Sequence, residues 1–366
     1  MNTNRYIEYL TIKGFKSIRN LNNFKMDKLN VLIGSNGAGK SNFISYFRML
    51  GEMVSGRLQS WTSNQGSADR IVSFGVKETK QLESIIRFGC NGYSFILEPT
   101  IDGGFSFSNE EVYFHNQIYP QPYNESLGSG HKEANIKNVS SQVVNYCYNA
   151  IVDWRVFHFH DTSDSAYVKR NGALHDNIYL RPDASNLAAF LYKMKVENPN
   201  IYNQIRKTVS LAIPFFDDFE LKPQMLSSGE EMITLLWKQK NSDYAFWPSQ
   251  LSDGSIRFIC LVTALLQPNP LSTIIIDEPE LGLHPYAITL LASLLRSASQ
   301  RMQVVVSTQS IPLVNEFSIS DLIIVEREND ATVFKRYNDD DYAVWLEDYS
   351  VGELWEKNIL GGRPHK

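Results

Sequence analysis

Gly34-Ser35-Asn36-Gly37-Ala38-Gly39-Lys40-Ser41 (GSNGAGKS) is the stretch whose reading decides the fold. Before it, Leu29-Asn-Val-Leu-Ile33 is an apolar run of the buried-strand type, and after it residues 42–50 carry a helical pattern. Strand, glycine loop and helix start therefore follow in the order that a phosphate cradle requires. Glycines at 34, 37 and 39 let backbone N–H groups turn inward around phosphate oxygens, and the helix dipole points to the same place. In that arrangement Lys40 reaches the β- and γ-phosphates and Ser41 ligates Mg²⁺, which makes ATP with Mg²⁺ the expected cofactor pair.

The rest of the chain bounds this reading. With 366 residues it can hold one large α/β domain with an insertion, or two domains. Its 43% hydrophobic and 20% charged residues are a globular mixture, which excludes wholesale disorder. Cys90, Cys147 and Cys260 lie scattered, without metal or disulfide spacing, as in a reducing compartment. No apolar signal core follows Met1, and the run 258–266 is too short to cross a bilayer, so a cytoplasmic protein with no membrane partner is expected. The net charge of −5 gives no basic nucleic-acid signature, although Lys13, Lys16 and Arg19 could form a local phosphate-contacting patch.

Alternation predicts strands over residues 6–15, 22–25 and 29–33, then a meander with strands at 85–88, 93–97, 105–107 and 112–114. Residues 119–141, rich in Pro, Gly, Asn and Ser, read as an exposed loop or insertion. Helices are expected at 185–196 and 202–212, with β-rich sequence over 219–247. The last third alternates: helix 255–266, strand 272–276, helix 285–297, strand 303–307 and a hairpin of 322–326 with 332–336. The expected fold class is thus α/β, a P-loop head with a mixed β-sheet and flanking helices, plus an inserted α+β or lid region. Its expected divisions are residues 1–90, 91–218 and 219–366.

Further motifs fall on the phosphate side. Thr273-Ile-Ile-Ile-Asp277-Glu278 is a buried parallel strand that delivers two carboxylates at its C-terminal edge. Asp277 there suits the Mg²⁺ shell, and Glu278 suits polarisation of the attacking water. Leu251-Ser252-Asp253-Gly254-Ser255 precedes a helix, where Ser252 and Gly254 can offer donors to phosphate. Pro279-Glu-Leu-Gly-Leu-His284-Pro285 follows the acids, and Val304-Val-Val-Ser-Thr308-Gln309-Ser310 ends a strand with a polar side chain able to sense the γ-phosphate. His158-Phe-His160-Asp161 puts two imidazoles on one strand face, but no second cluster accompanies it to complete a metal site.

In this order the four motifs resemble the ATP-binding cassette superfamily, specifically its RecF/SMC/OLD-like branch. The opening Ile12-Lys-Gly-Phe15-Lys-Ser-Ile18 and the Asn42 of Gly39-Lys40-Ser41-Asn42 are similar to the same branch, while Gly352-Glu-Leu-Trp355 and Leu360-Gly-Gly-Arg363-Pro364 resemble compact AAA-family ATPases of bacterial defence operons. The resemblance covers roughly residues 5–90 and 220–364. It implies an ATP-sandwiched homodimer or higher oligomer in which Lys40, Ser41, Asp277 and Glu278 act in cis and Ser252 and Gly254 face the partner's ATP. It also implies Gln309 as the switch residue, Gln65 (with Gln59 as competitor) as the glutamine completing Mg²⁺ coordination, and Phe15 and Lys16 bordering the adenine.

Three departures narrow the role. Asp253 stands where many relatives have glycine, no coiled-coil arm is evident, and no acidic nuclease domain follows the head. The leading expectation is an ATPase whose nucleotide-driven assembly controls a separately encoded effector, such as a nuclease, in anti-phage defence. The alternative is a RecF-like ATPase that binds DNA in repair or maintenance. A transporter energy subunit is disfavoured, because no membrane-coupling signature is present.

Overall fold

A computed structural model of the chain describes residues 5–116, 118 and 121–362. Strands β1 (Tyr9–Phe15) and β2 (Ile18–Lys25) form an antiparallel hairpin, followed by β3 (Leu29–Ile33), which runs into α1 (Lys40–Val54) through the glycine loop. Short helices α2 (Leu58–Asn64) and α3 (Ala68–Ile71) lead to the meander β4 (Leu82–Phe88), β5 (Asn91–Pro99), β6 (Phe105–Phe114) and β7 (Tyr123–Gly128). These strands make one antiparallel sheet in the order β2-β1-β4-β5-β6-β7. The boundary expected at 90/91 falls in the turn between β4 and β5, which pair along their whole length, so the sheet continues across it.

Two expectations are corrected here. Residues 121–141 are not simply loop, because β7 lies among them; its sequence Tyr-Asn-Glu-Ser-Leu-Gly has no apolar alternation because it is an edge strand, paired only with β6. Tyr119 and Pro120, from the same stretch, lie outside the described residues, as do Arg363 and Pro364 of the closing motif. The strands expected at 105–107 and 112–114 are one continuous β6.

Next come α4 (Gln142–Val152), capped by the Ser141 hydroxyl, and the three-residue β8 (Arg155–Phe157). The strand β9 (Gly172–Ala173) and the helices α5 (Leu187–Glu197) and α6 (Pro199–Ala212) follow, the latter opening with proline in the first turn, where no N–H is needed. Strands β10 (Phe216–Glu220), β11 (Gln224–Met225), β12 (Glu231–Ile233), β13 (Leu236–Gln239) and β14 (Ala245–Phe246) build two small sheets, β10-β13-β14 and β11-β12-β9. Strand β10 runs through the boundary expected at 218/219.

The last part contains α7 (Asp253–Leu266), β15 (Thr273–Asp277), α8 (Pro285–Ser299), β16 (Gln303–Thr308), α9 (Ile311–Val314), β17 (Leu322–Glu328), β18 (Ala331–Lys335), α10 (Ala343–Leu346) and α11 (Val351–Glu356). A mixed sheet, β18-β17-β3-β16-β15-β8, is the centre of the molecule, parallel except for the β17–β18 hairpin. Val31, Ile274, Ile276, Val304 and Val306 project into one apolar cluster with α5 to α8, while Leu32, Ile275 and Val305 project into another with α1 and the antiparallel sheet. Burial on both faces is why these strands read as unbroken apolar runs. Helix α7 is buried all round from Ile256 to Leu266, which accounts for its near-continuous apolar sequence.

Candidate nucleotide site

Parallel pairing brings the C-terminal ends of β3, β16 and β15 side by side, with Ile33 opposite Thr308 and Ser307 opposite Asp277. The glycine loop, Gln309 and the two acids therefore emerge at one sheet edge. Gly34 and Gly39 are required by close approach. A Cβ on Gly34 would strike the Val325 carbonyl, and one on Gly39, at φ +117°, would strike the Thr332 hydroxyl.

Backbone N–H groups of Gly37, Gly39, Lys40 and Ser41 have no acceptor among the described residues, which leaves donors at a helix start for an anion. Asn36 and Gly37 are exposed at the loop's tip, and Ala38 is buried beneath it. Lys40 is nearly buried, its ammonium donating to the carbonyls of Gly34 at 2.6 Å and Ser35 at 3.1 Å. Burial lowers its pKa, while the nearby carboxylates of Glu278, Asp277 and Glu280 push the other way. The Ser41 hydroxyl at the head of α1 and the Asp277 carboxylate, which accepts from the Ser307 hydroxyl through one oxygen, fit Mg²⁺ in donor chemistry.

Glu278 is the strained residue of the site. Its backbone sits at φ +42°, a left-handed conformation that non-glycine residues seldom adopt, and its N–H donates to the Ser307 carbonyl at 2.9 Å. Its carboxylate accepts from the Gln309 amide at 2.6 Å. Glu280, which sequence reasoning passed over, is buried below; one oxygen accepts from Thr308 Oγ1 at 2.5 Å and the other has no partner among the described residues. Burial pushes its carboxyl above the ordinary range. The Pro279–Glu280 sequence held the signal, since an acid flanked by apolar residues just beyond a buried strand is placed to be buried with it.

Other expected residues spread outward. Phe15 does not border a base: its ring is fully buried against Tyr46, with centroids 5.7 Å apart, because β1 turns that position into the core. Lys16 donates to Ser45 Oγ at 2.7 Å and to Gln65 Oε1 at 3.4 Å, so Lys16 and Gln65 meet one turn beyond Ser41 on α1. Gln59 is turned elsewhere, bridging the Lys132 carbonyl and the Phe105 N–H. Asn42 donates to Ser17 Oγ at 2.7 Å, and Ser17 in turn meets Thr332 Oγ1 at 2.6 Å. The expected basic patch is largely neutralised, Lys13 by Glu83 at 2.9 Å and Arg19 by Glu78 at 2.6 Å.

Ser252 caps α7 by accepting from the Ser255 N–H at 3.2 Å and remains exposed. Gly254 is held against the loop after the acids, where a Cβ would strike the Gly282 carbonyl. His284 plays a capping role, its ring nitrogen accepting from the Tyr286 N–H at 3.3 Å. Buried Arg257 braces two loops, donating to the carbonyls of Phe159 at 2.8 Å and His160 at 3.2 Å in the loop after β8 and to that of Leu281 in the loop after the acids. Among the described residues, no three His, Cys, Asp or Glu side chains are placed to hold a metal ion between them, around His158 and His160 or elsewhere. The Gly362 carbonyl accepts from the Ser35 N–H at 2.7 Å, so the segment after α11 straps the phosphate loop. No described helix is long and apolar enough to cross a membrane.

Comparison with known proteins bears on the fold. An SMC head bound to the C-winged helix domain of ScpA is similar in fold, with a TM-score of 0.63 at 15% identity over 93% of this chain and 99% of that one. The Smc head domain with an extended coiled coil, bound to the C-terminal domain of ScpA from Pyrococcus furiosus, gives 0.57 at 14% identity over 94% and 99%. No curated protein matches in sequence. Residues 29–315 match the family model described as "AAA domain, putative AbiEii toxin, Type IV TA system", a span that runs from the start of β3 past Gln309. The chain therefore belongs to this AAA-domain family and has the fold of an SMC head domain.

Proposed function

We propose that the chain hydrolyses ATP with Mg²⁺, closes into an ATP-sandwiched homodimer or higher oligomer, and through that closure controls a separately encoded effector in anti-phage defence. The observation that carries the catalytic part is the Glu278 carboxylate, one residue after Asp277 on a strained backbone and held by the Gln309 amide at 2.6 Å. In this reading the free N–H groups of the loop and Lys40 hold the phosphates, and Ser41 and Asp277 hold the cation. Mg²⁺, when bound, neutralises charge on the β- and γ-phosphate oxygens. Glu278 takes the proton of the attacking water while Gln309 fixes its orientation. Gln65, at the C-terminal cap of α2 and already tied to Lys16, completes the cation's surroundings.

Ser252 and Gly254 lie at an exposed helix start, and we assign them to the partner's γ-phosphate rather than to the cis site. The defence reading is supported by the family description, which names an AbiEii toxin. Substituting Glu278→Gln tests the centre of the proposal: ATP should still bind while steady-state turnover falls by roughly 10²–10⁴-fold. Turnover at the wild-type rate would remove Glu278 from the role of base.

A further inference from the structure

Beside the C-terminal half of α1 lies an open cavity of about 520 Å³, lined by α1, α2, β8 and the segment around Tyr179. Arg48 on its wall stands seven residues after Ser41, about 10 Å along the helix axis from the phosphate loop. The cavity is cationic on a chain of net charge −5. Arg48, Arg57 and Arg155 line it against one carboxylate, Glu52, which is taken by Arg57 at 2.7 Å. Arg48 has no ion pair or hydrogen-bond partner among the described residues.

Arg155 likewise has no carboxylate partner there. It donates to the carbonyls of Val152 at 2.7 Å and Trp154 at 2.9 Å, and its guanidinium lies 5.2 Å from the centre of the Tyr179 ring. Tyr179 is itself 45% exposed, and Trp61 lines the same space. Trp154, only 5% exposed, also lines the cavity, and its indole N–H finds no acceptor among the described residues. Unpaired guanidinium groups suit phosphate, whereas aromatic rings and guanidinium planes stack on a nucleobase. The volume falls within the range of small-ligand pockets.

We propose that this cavity binds a nucleoside phosphate, with Arg48 and Arg155 on the phosphate and Tyr179 and Trp61 on the base. The ligand is either a free mononucleotide or a nucleotide unit of a single strand, since both present the same chemistry. The site is separate from the phosphate loop and does not rest on the ATPase reading.

The test uses the full chain carrying Lys40→Ala, so that the phosphate loop does not compete. Thymidine 5′-monophosphate is titrated by tryptophan emission, and a 5′-phosphorylated oligothymidylate with a 3′ fluorophore by anisotropy. Adding Arg48→Gln, at an exposed position that leaves the melting temperature unchanged, should weaken binding about tenfold, and Tyr179→Ala should do the same through lost stacking. Equal affinity for the two probes assigns the free nucleotide, and affinity for the oligonucleotide alone assigns the strand. The proposal is overturned if neither probe saturates, if Arg48→Gln and Arg155→Gln bind as their parent does, or if polyglutamate displaces the probe as well as unlabelled nucleotide.

Discussion

At φ +42°, Glu278 occupies a conformation that costs of order 1–3 kcal/mol, and two neighbours hold it: the Ser307 carbonyl, which accepts from its N–H, and the Gln309 amide, which donates to its carboxylate. Removing the amide with Gln309→Ala should lower kcat about 10- to 100-fold while leaving ATP affinity near wild type, because the orientation of the base is lost but the phosphate cradle is not. An equal loss in binding, measured by titration with a slowly hydrolysed ATP analogue, would show Gln309 to be a ligand contact instead. Phe15 makes the opposite case. Buried against Tyr46, it should cost roughly 3–5 kcal/mol of stability on Phe15→Ala, read from chemical denaturation, whereas Phe15→Leu should fold and bind ATP normally. Glu280 gives a pH signature. Its carboxyl is held above the ordinary range by burial, so the folded state keeps the proton longer than the unfolded chain, and stability falls as pH rises from the ordinary carboxylate range through the raised value. Glu280→Gln cannot ionise, so its melting temperature should gain on wild type between mildly acidic and neutral pH. A constant difference across that range would contradict the assignment.

Among the elements, those that carry the site were the legible ones. Leu29–Ile33, Thr273–Asp277 and Gln303–Thr308 are buried on both faces and run into a glycine, an acid and a glutamine respectively, so period, composition and ending agree. Strands β7 and β8 were not legible for different reasons. The first is a polar edge strand, and the second has only three residues, too few for any periodicity, although its pairing of Phe157 with Ile276 places His158 level with Asp277. Adjacency of this kind comes from long-range ladder pairing that no local pattern records. The same holds for Arg257, which reads as a charge interrupting an apolar helix, yet its guanidinium ties the first turn of α7 to the loop after β8 and to the loop after the acids. Arg257→Ala would strand three carbonyls and should destabilise the chain by about 3 kcal/mol. Arg257→Lys, whose ammonium lacks the planar fork, should recover only part of that in the same denaturation experiment.

For the whole molecule, the question is whether one copy suffices. Within a copy, Ser252 caps its own helix and Gly254 packs on Gly282, while the hydrogen bonds that hold Ser35, Lys40 and Asn42 run to Gly362, to the loop's own carbonyls and to Ser17. None of these bonds joins the two motifs. If the catalytic unit is a two-fold dimer, each site takes Lys40 from one chain and Ser252 from the other. Lys40→Ala and Ser252→Arg should then each be inactive alone for different reasons, the first unable to hold phosphate and the second blocking the partner's. Mixed in equal amounts, half of the dimers are mixed, and each mixed dimer contains one intact site, built from the Ser252→Arg chain's phosphate loop and the Lys40→Ala chain's helix start. The mixture should recover about a quarter of the wild-type rate per chain. A site complete within one chain predicts no recovery at any ratio. Recovery that rises with the product of the two concentrations and is abolished by adding Glu278→Gln to the Ser252→Arg chain, but not to the Lys40→Ala chain, would identify which copy supplies the base and which supplies the helix start.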